Sequence, residues 1–102
     1  MDKKAFSQRL TQLRINKGVS ARDMSLSIGQ SASYINNIEN GVGFPSMTVF
    51  FYICEYLEIE PRDFFDTNTP DPTKVNELLQ AIKGLDSKQL DNLIILVNSF
   101  KK

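Results

Sequence analysis

The chain has 102 residues, room for one domain and an appendage, and its 41% apolar content is enough for a buried core. Twelve Lys and Arg balance twelve Asp and Glu, histidine is absent, and Cys54 is the only cysteine. That composition excludes an internal disulfide, a zinc site and any triad built on a histidine base, and no apolar run is long enough to cross a bilayer. Met1-Asp2-Lys3-Lys4-Ala5-Phe6 lacks the apolar stretch of a signal peptide, and no glycine-rich phosphate loop occurs. The expectation is a cytoplasmic protein that is not an enzyme, uses no metal or cofactor and has no membrane partner.

In chain order, Phe6, Leu10 and Leu13 recur at helical spacing and predict a helix from about Lys3 to Asn16, ended by Gly18. Ser20 is a good N-cap for a second short helix, with Asp23 completing a variant capping box and Val19 stapling onto Met24. That helix stops at Gly29. Ser31 is expected to cap a third helix, which carries Ile35 and Ile38 and ends at Gly41. Pro45-Ser46 opens a fourth, with Val49, Phe50, Ile53 and Leu57 inward, and Pro61 sits in the first turn of a fifth holding Phe64 and Phe65. Residues 67–72, rich in proline and small polar side chains, read as a linker between a domain at 1–66 and an extension at 73–102. The extension holds two amphipathic stretches, Val75, Leu78, Leu79 and Ile82, then Leu90, Leu93, Ile94, Val97 and Phe100, with a corner at Leu85-Asp86-Ser87. The fold class is all-α, with no strand signal.

Charge is unevenly spread. Up to Ser46 there are six cations (Lys3, Lys4, Arg9, Arg14, Lys17, Arg22) against three anions (Asp2, Asp23, Glu39), and the remainder is acidic by the same margin. A polyanion would meet the N-terminal half. Two short capped helices joined by a glycine-containing turn form the helix-turn-helix arrangement, which lays its second helix in the major groove of DNA.

The residues that carry this arrangement are Leu13-Arg14, Lys17-Gly18-Val19-Ser20, Met24-Ser25, Ile28-Gly29, Tyr34-Ile35, Ile38-Glu39-Asn40-Gly41 and Pro45-Ser46. Over Phe6 to Phe65 they resemble the Cro/C1-type (lambda-repressor-like, XRE-type) helix-turn-helix domain. The resemblance implies a five-helix fold and a sequence-specific, repressor-like regulator of transcription that binds double-stranded DNA as a homodimer. With Ile35 and Ile38 inward, the opposite side of the third helix holds Ala32, Ser33, Asn36, Asn37 and Asn40. Asparagine suits the N6 and N7 of adenine, serine either donates or accepts, and alanine fits a thymine methyl. The resemblance places Ala32, Ser33 and Asn37 at base edges and Asn40 at phosphate. Asn36 joins the base readers on its own chemistry, because asparagine is a poor helix former at an idle site. Ala21, Arg22, Tyr34 and Lys17 are expected along the DNA backbone, with Tyr34 equally able to pack beneath the second helix. The family also pairs an arginine and a glutamate at the positions of Arg14 and Glu39, implying a partly buried ion pair. Cys54 reads as a small buried hydrophobe.

Two departures weaken the match. Glutamines common at the starts of the second and third helices are Ala21 and Ala32 here, and the loop Val42-Gly43-Phe44 is uncharged. They leave room for a protein-interaction module or an antitoxin-like partner on the same fold. The extension carries five consecutive apolar residues, Leu93 to Val97, more than one stripe requires. It either folds back on its own domain or pairs with a second chain through Leu90, Leu93, Ile94, Val97 and Phe100, and pairing is favoured.

Overall fold

The apolar spacing of the first helix sets the architecture. Phe6, Leu10 and Leu13 lie on one side of α1 (Lys3–Lys17) and are all buried, and the third, fourth and fifth helices pack against α1. The computed structural model describes residues 1–101. It contains α2 (Ala21–Ser27), α3 (Tyr34–Glu39), α4 (Met47–Leu57), α5 (Pro61–Phe65), α6 (Pro72–Ala81) and α7 (Ser87–Phe100), with no strand among the described residues. Contacts run from α1 to α3, α4 and α5, from α2 to α3 and from α4 to α5. Phe6, Phe50 and Phe64 fill the base of the core, with ring centroids 4.8 Å apart for Phe6–Phe64 and 5.2 Å for the edge-on Phe50–Phe64 pair. Cys54 lies in the same core, and burial, reinforced by Glu60 and Asp63, pushes its thiol pKa up to about 11. No described helix is long and apolar enough to cross a membrane.

Helix ends follow local chemistry. Asp2, Ser20 and Ser46 each accept a backbone N–H three residues on. Asp23 makes no return bond to Ser20, so the expected capping box is only half formed there. A complete one stands at α7, where Asp86 accepts from the Gln89 N–H at 2.8 Å and Gln89 accepts from the Asp86 N–H at 3.1 Å. At the end of α4, Glu58 takes the left-handed conformation, φ 59°, so that the Ile59 N–H can close on the Cys54 carbonyl and bury Ile59.

Arg9 is 2% exposed and faces no carboxylate at hydrogen-bonding distance. Its Nε donates to the Phe64 carbonyl at 2.6 Å, and Nη2 donates to the carbonyls of Asp63, Asp66 and Thr69 at 2.6, 2.8 and 3.0 Å. Nη1 reaches Gln12. The guanidinium thus satisfies the orphan carbonyls at the end of α5 and of the chain leaving it. Burial lowers its pKa, and it nonetheless remains a cation.

The segment read as a linker is therefore tied down. Besides the Arg9 bonds to Asp66 and Thr69, the Asn16 amide donates to the Pro70 carbonyl at 2.6 Å. Pro72 is buried, and the Thr73 hydroxyl donates to the Leu57 carbonyl at 3.2 Å. Beyond this tether the extension leaves the domain. No residue of α7 is buried, and the molecule measures 50 × 27 × 22 Å. Its radius of gyration, 16.5 Å, exceeds the ~13 Å of a compact 100-residue domain.

Two outcomes follow for stability. Arg9→Met strands the four carbonyls and should cost about 2–4 kcal/mol in urea unfolding, with Arg9→Lys recovering little because one ammonium cannot span them. Glu58→Gly removes a left-handed non-glycine residue and should raise stability by about 0.5–1 kcal/mol in the same assay.

Candidate nucleic-acid interface

The turn between α2 and α3 begins with Gly29 at φ 78°, a conformation that glycine takes without a Cβ clash. It lets the Gln30 N–H reach back to the Ser25 carbonyl at 2.9 Å and closes α2. Ser31 to Ser33 then form a turn, with the Tyr34 N–H on the Ser31 carbonyl at 3.1 Å. So α3 starts at Tyr34, two residues later than a Ser31 cap implies. Ser33 is the N-cap residue, in a helical conformation that gives its side chain no capping bond. Ala32 and Ser33 consequently lie on the turn ahead of α3, Ala32 partly buried and Ser33 exposed.

The inner side of α3 is locked at both ends. Ile35 and Ile38 are buried. At the N-terminal end the fully buried Ser25 hydroxyl accepts the Ile35 N–H at 2.9 Å while donating to the Ala21 carbonyl at 2.7 Å. At the other end the Ser7 hydroxyl of α1 donates to the Ile38 carbonyl at 2.6 Å. Arg14 grips Glu39 with two bonds, Nε to Oε2 at 2.7 Å and Nη2 to Oε1 at 2.9 Å, and its Nη1 donates to the Val19 carbonyl at 2.9 Å. The side chains are only 17% and 10% exposed. The hydrogen bond to Glu39 raises the Arg14 pKa above its ordinary value, against the lowering effect of burial.

The outer side presents Asn36, Asn37 and Asn40, all exposed, with side-chain amides that bond to nothing among the described residues. Tyr34 is partly buried against the core, and burial raises its hydroxyl pKa. Arg22 stands exposed in the first turn of α2 beside the partly buried Ala21. The exposed Lys17 carries its ammonium 5.1 Å over the Tyr56 ring of α4. Lys3 and Lys4, which read as ordinary solvated charges, share a shallow concavity with Gln8, Asn40 and Gly41 at the end of α3. Of the six N-terminal cations, Arg9 and Arg14 are internal struts, so the outward positive charge is smaller than the sequence count.

Sequence reasoning missed Ser7, Ser25 and Arg9 as positioning residues. Ser7 and Ser25 sit among the apolar positions of α1 and α2, a serine buried in each stripe, which is the only signal the sequence carries of them.

Two short helices around a glycine turn, the second exposing an uncommitted polar side, define a groove-reading head on a helical scaffold. Comparison with known proteins agrees. The family model described as a helix-turn-helix domain matches residues 7–70, and the chain belongs to that family, as a Cro/C1-type member. Among solved structures, the restriction-modification controller protein C.AhdI from Aeromonas hydrophila is 34% identical, with a TM-score of 0.59 over 63% of this chain and 93% of that one. No curated protein matches.

The lock on α3 is open to measurement. Arg14→Met should destabilise the domain, Glu39→Leu on top of it should restore part of the loss, and a double-mutant cycle should give a coupling of about 1–3 kcal/mol.

Proposed function

We propose that this protein is a transcriptional regulator that binds a specific duplex sequence by laying α3 in the major groove. The observation that carries the reading is the pair Asn36 and Asn37. Their amides are exposed and unbonded on a helix whose other side is held by Ser25, Ser7 and the Arg14–Glu39 pair. An amide held at a set angle and left unpaired suits bidentate bonding to adenine N6 and N7. Ser33 and Ala32, on the turn leading into α3, meet the neighbouring base edges, a hydroxyl for either bonding sense and a methyl for thymine. Asn40, Lys3, Lys4 and Arg22 face phosphates at the margins, with Ala21 and Tyr34 along the same strand. Lys17, engaged with Tyr56, is left out of this surface.

The likeness to a restriction-modification controller protein supports a regulatory role for such binding. Regulation follows from occupancy: protein seated over a promoter excludes or recruits polymerase. The regulator acts as a homodimer, whose two recognition helices reach half-sites about 34 Å apart on one side of the duplex.

Selection from random duplex DNA tests this reading. The wild-type chain should enrich one sequence, and Asn36→Ala with Asn37→Ala should abolish the enrichment while leaving the thermal transition in place, each lost bidentate contact costing about 1–3 kcal/mol of discrimination. The salt dependence should be shallow, with a slope no steeper than roughly −3 to −4 per protomer, because few outward cations are available. Failure to enrich any sequence at low salt would leave a protein-interaction module on the same fold.

A further inference from the structure

A cavity of about 130 Å³ lies where the extension joins the domain. Its floor is apolar: Leu13 of α1, Leu57 of α4 and Ile59 of the following loop, all three buried. The end of α1 supplies one wall with Asn16 and Lys17. The start of α6 supplies the other with Asp71, Thr73 and the Lys74–Glu77 pair. An apolar cavity of about 150 Å³ is enough for benzene, so this space suits a ligand whose apolar part is a few carbons in size.

Most of the polar groups at the rim are already engaged. Lys74 bonds to Glu77 at 3.3 Å, the Thr73 hydroxyl donates to the Leu57 carbonyl at 3.2 Å, and the Asn16 amide N–H donates to the Pro70 carbonyl at 2.6 Å. One cation and half of one carboxylate are left over. The Lys17 ammonium rests over the Tyr56 ring and donates to no acceptor among the described residues. Asp71 caps α6 through Oδ1, which accepts the Lys74 N–H at 3.2 Å, while its Oδ2 accepts nothing among the described residues. These two groups decide the charge of the ligand. A plain carboxylate would meet Lys17 but also face Asp71, a plain amine would do the converse, and a hydrocarbon would desolvate both without compensation. A molecule with one carboxylate and one ammonium satisfies both and adds no net charge. Its two charges must sit together at the rim while an apolar branch reaches the floor, which is the shape of an α-amino acid. In an ω-amino acid the chain lies between the charges and leaves the floor empty. The space limits the branch to that of valine, leucine or isoleucine.

We infer that this cavity binds a free aliphatic α-amino acid, with its carboxylate on Lys17, its ammonium on Asp71 and its side chain on the apolar floor. The ligand touches α1, the loop between α4 and α5, and α6 at once. It therefore fastens the base of the extension to the domain alongside the bonds from Asn16 and Thr73. Its use as a signal that adjusts regulation rests on the proposed function; the site itself does not.

Calorimetric titration of the full chain with valine, leucine and isoleucine tests the site. At least one should bind with a dissociation constant below roughly 1 mM, and isovalerate, isobutylamine and γ-aminobutyrate should bind at least roughly tenfold more weakly. Lys17→Met and Asp71→Asn should each weaken binding about tenfold or more while the thermal transition stays in place, since asparagine still caps a helix. Amide shifts on binding should centre on Leu13, Asn16, Ile59 and Thr73. No binding of any of the three at roughly 10 mM would overturn the inference. So would isovalerate binding as well as valine, affinity unchanged in both variants, or amide shifts confined to the aromatic side around Phe44 and Phe65. A chain that selects a DNA sequence but binds no amino acid loses this inference and keeps the proposed function. A chain that binds valine at these residues but enriches no DNA keeps the site and loses the proposed function.

Discussion

A helix of six residues does not hold itself. Its own hydrogen bonds cannot repay the cost of nucleating it, and it persists only where tertiary contacts impose it. That constraint governs the reading head of this protein. Ile35 and Ile38 supply burial, but burial alone would let α3 rotate or slide. The Ser25 hydroxyl fixes its start by taking the Ile35 N–H, and the Ser7 hydroxyl fixes its end through the Ile38 carbonyl. The fork of Arg14 on Glu39 adds direction, since two parallel bonds resist twisting as a point charge does not. Every one of these groups lies on α1, α2 or the inner side of α3, so the outer amides owe nothing to the scaffold and remain free for a ligand.

The second arginine solves a different problem. Arg9 gathers the carbonyls that α5 and the following segment cannot satisfy, and so joins the end of the domain to the middle of α1. A serine or asparagine could satisfy one or two carbonyls, but five N–H donors in a planar fork satisfy a whole chain reversal. Its side effect reaches the extension. Because residues 66–70 are pinned to α1, α6 starts from a set position, and the extension projects as an arm with a defined origin.

Periodicity made the main elements legible. Phe6, Leu10 and Leu13, and likewise Phe50, Ile53 and Leu57, recur at spacings that only a helix turns to one side, and all six are buried. The start of α3 was less legible, because Ser31, Ala32 and Ser33 are each acceptable at a cap or in a turn, and main-chain geometry around Ser33 decided between them. Arg9 was illegible for a stronger reason. Its partners are backbone carbonyls 54 to 60 residues further on, and a carbonyl belongs to every residue, so no pattern of side chains announces the pairing. The neighbour of Lys17 was equally out of reach: the Tyr56 ring beneath its ammonium lies 39 residues further on, and only the fold brings the two together.

The weak outward charge of the head and the bare apolar arm belong together physically. Phosphate contacts supply most of the affinity of DNA-binding proteins, and this domain has spent two of its six N-terminal cations inside the fold and turned a third to an aromatic ring. A single head with so few outward cations has few phosphate contacts to offer. Joining two heads makes the second half-site encounter intramolecular, at an effective concentration set by the geometry of the link, and multiplies affinity without another lysine. The gain is largest when the link is stiff and of matching span, because a slack tether dilutes the second head over a large volume. Residues 67–72 would be slack as a bare proline-containing linker. Fastened by Arg9, Asn16 and Thr73, they transmit the direction of the domain to the arm, and a paired arm would in turn set the spacing of the two recognition helices.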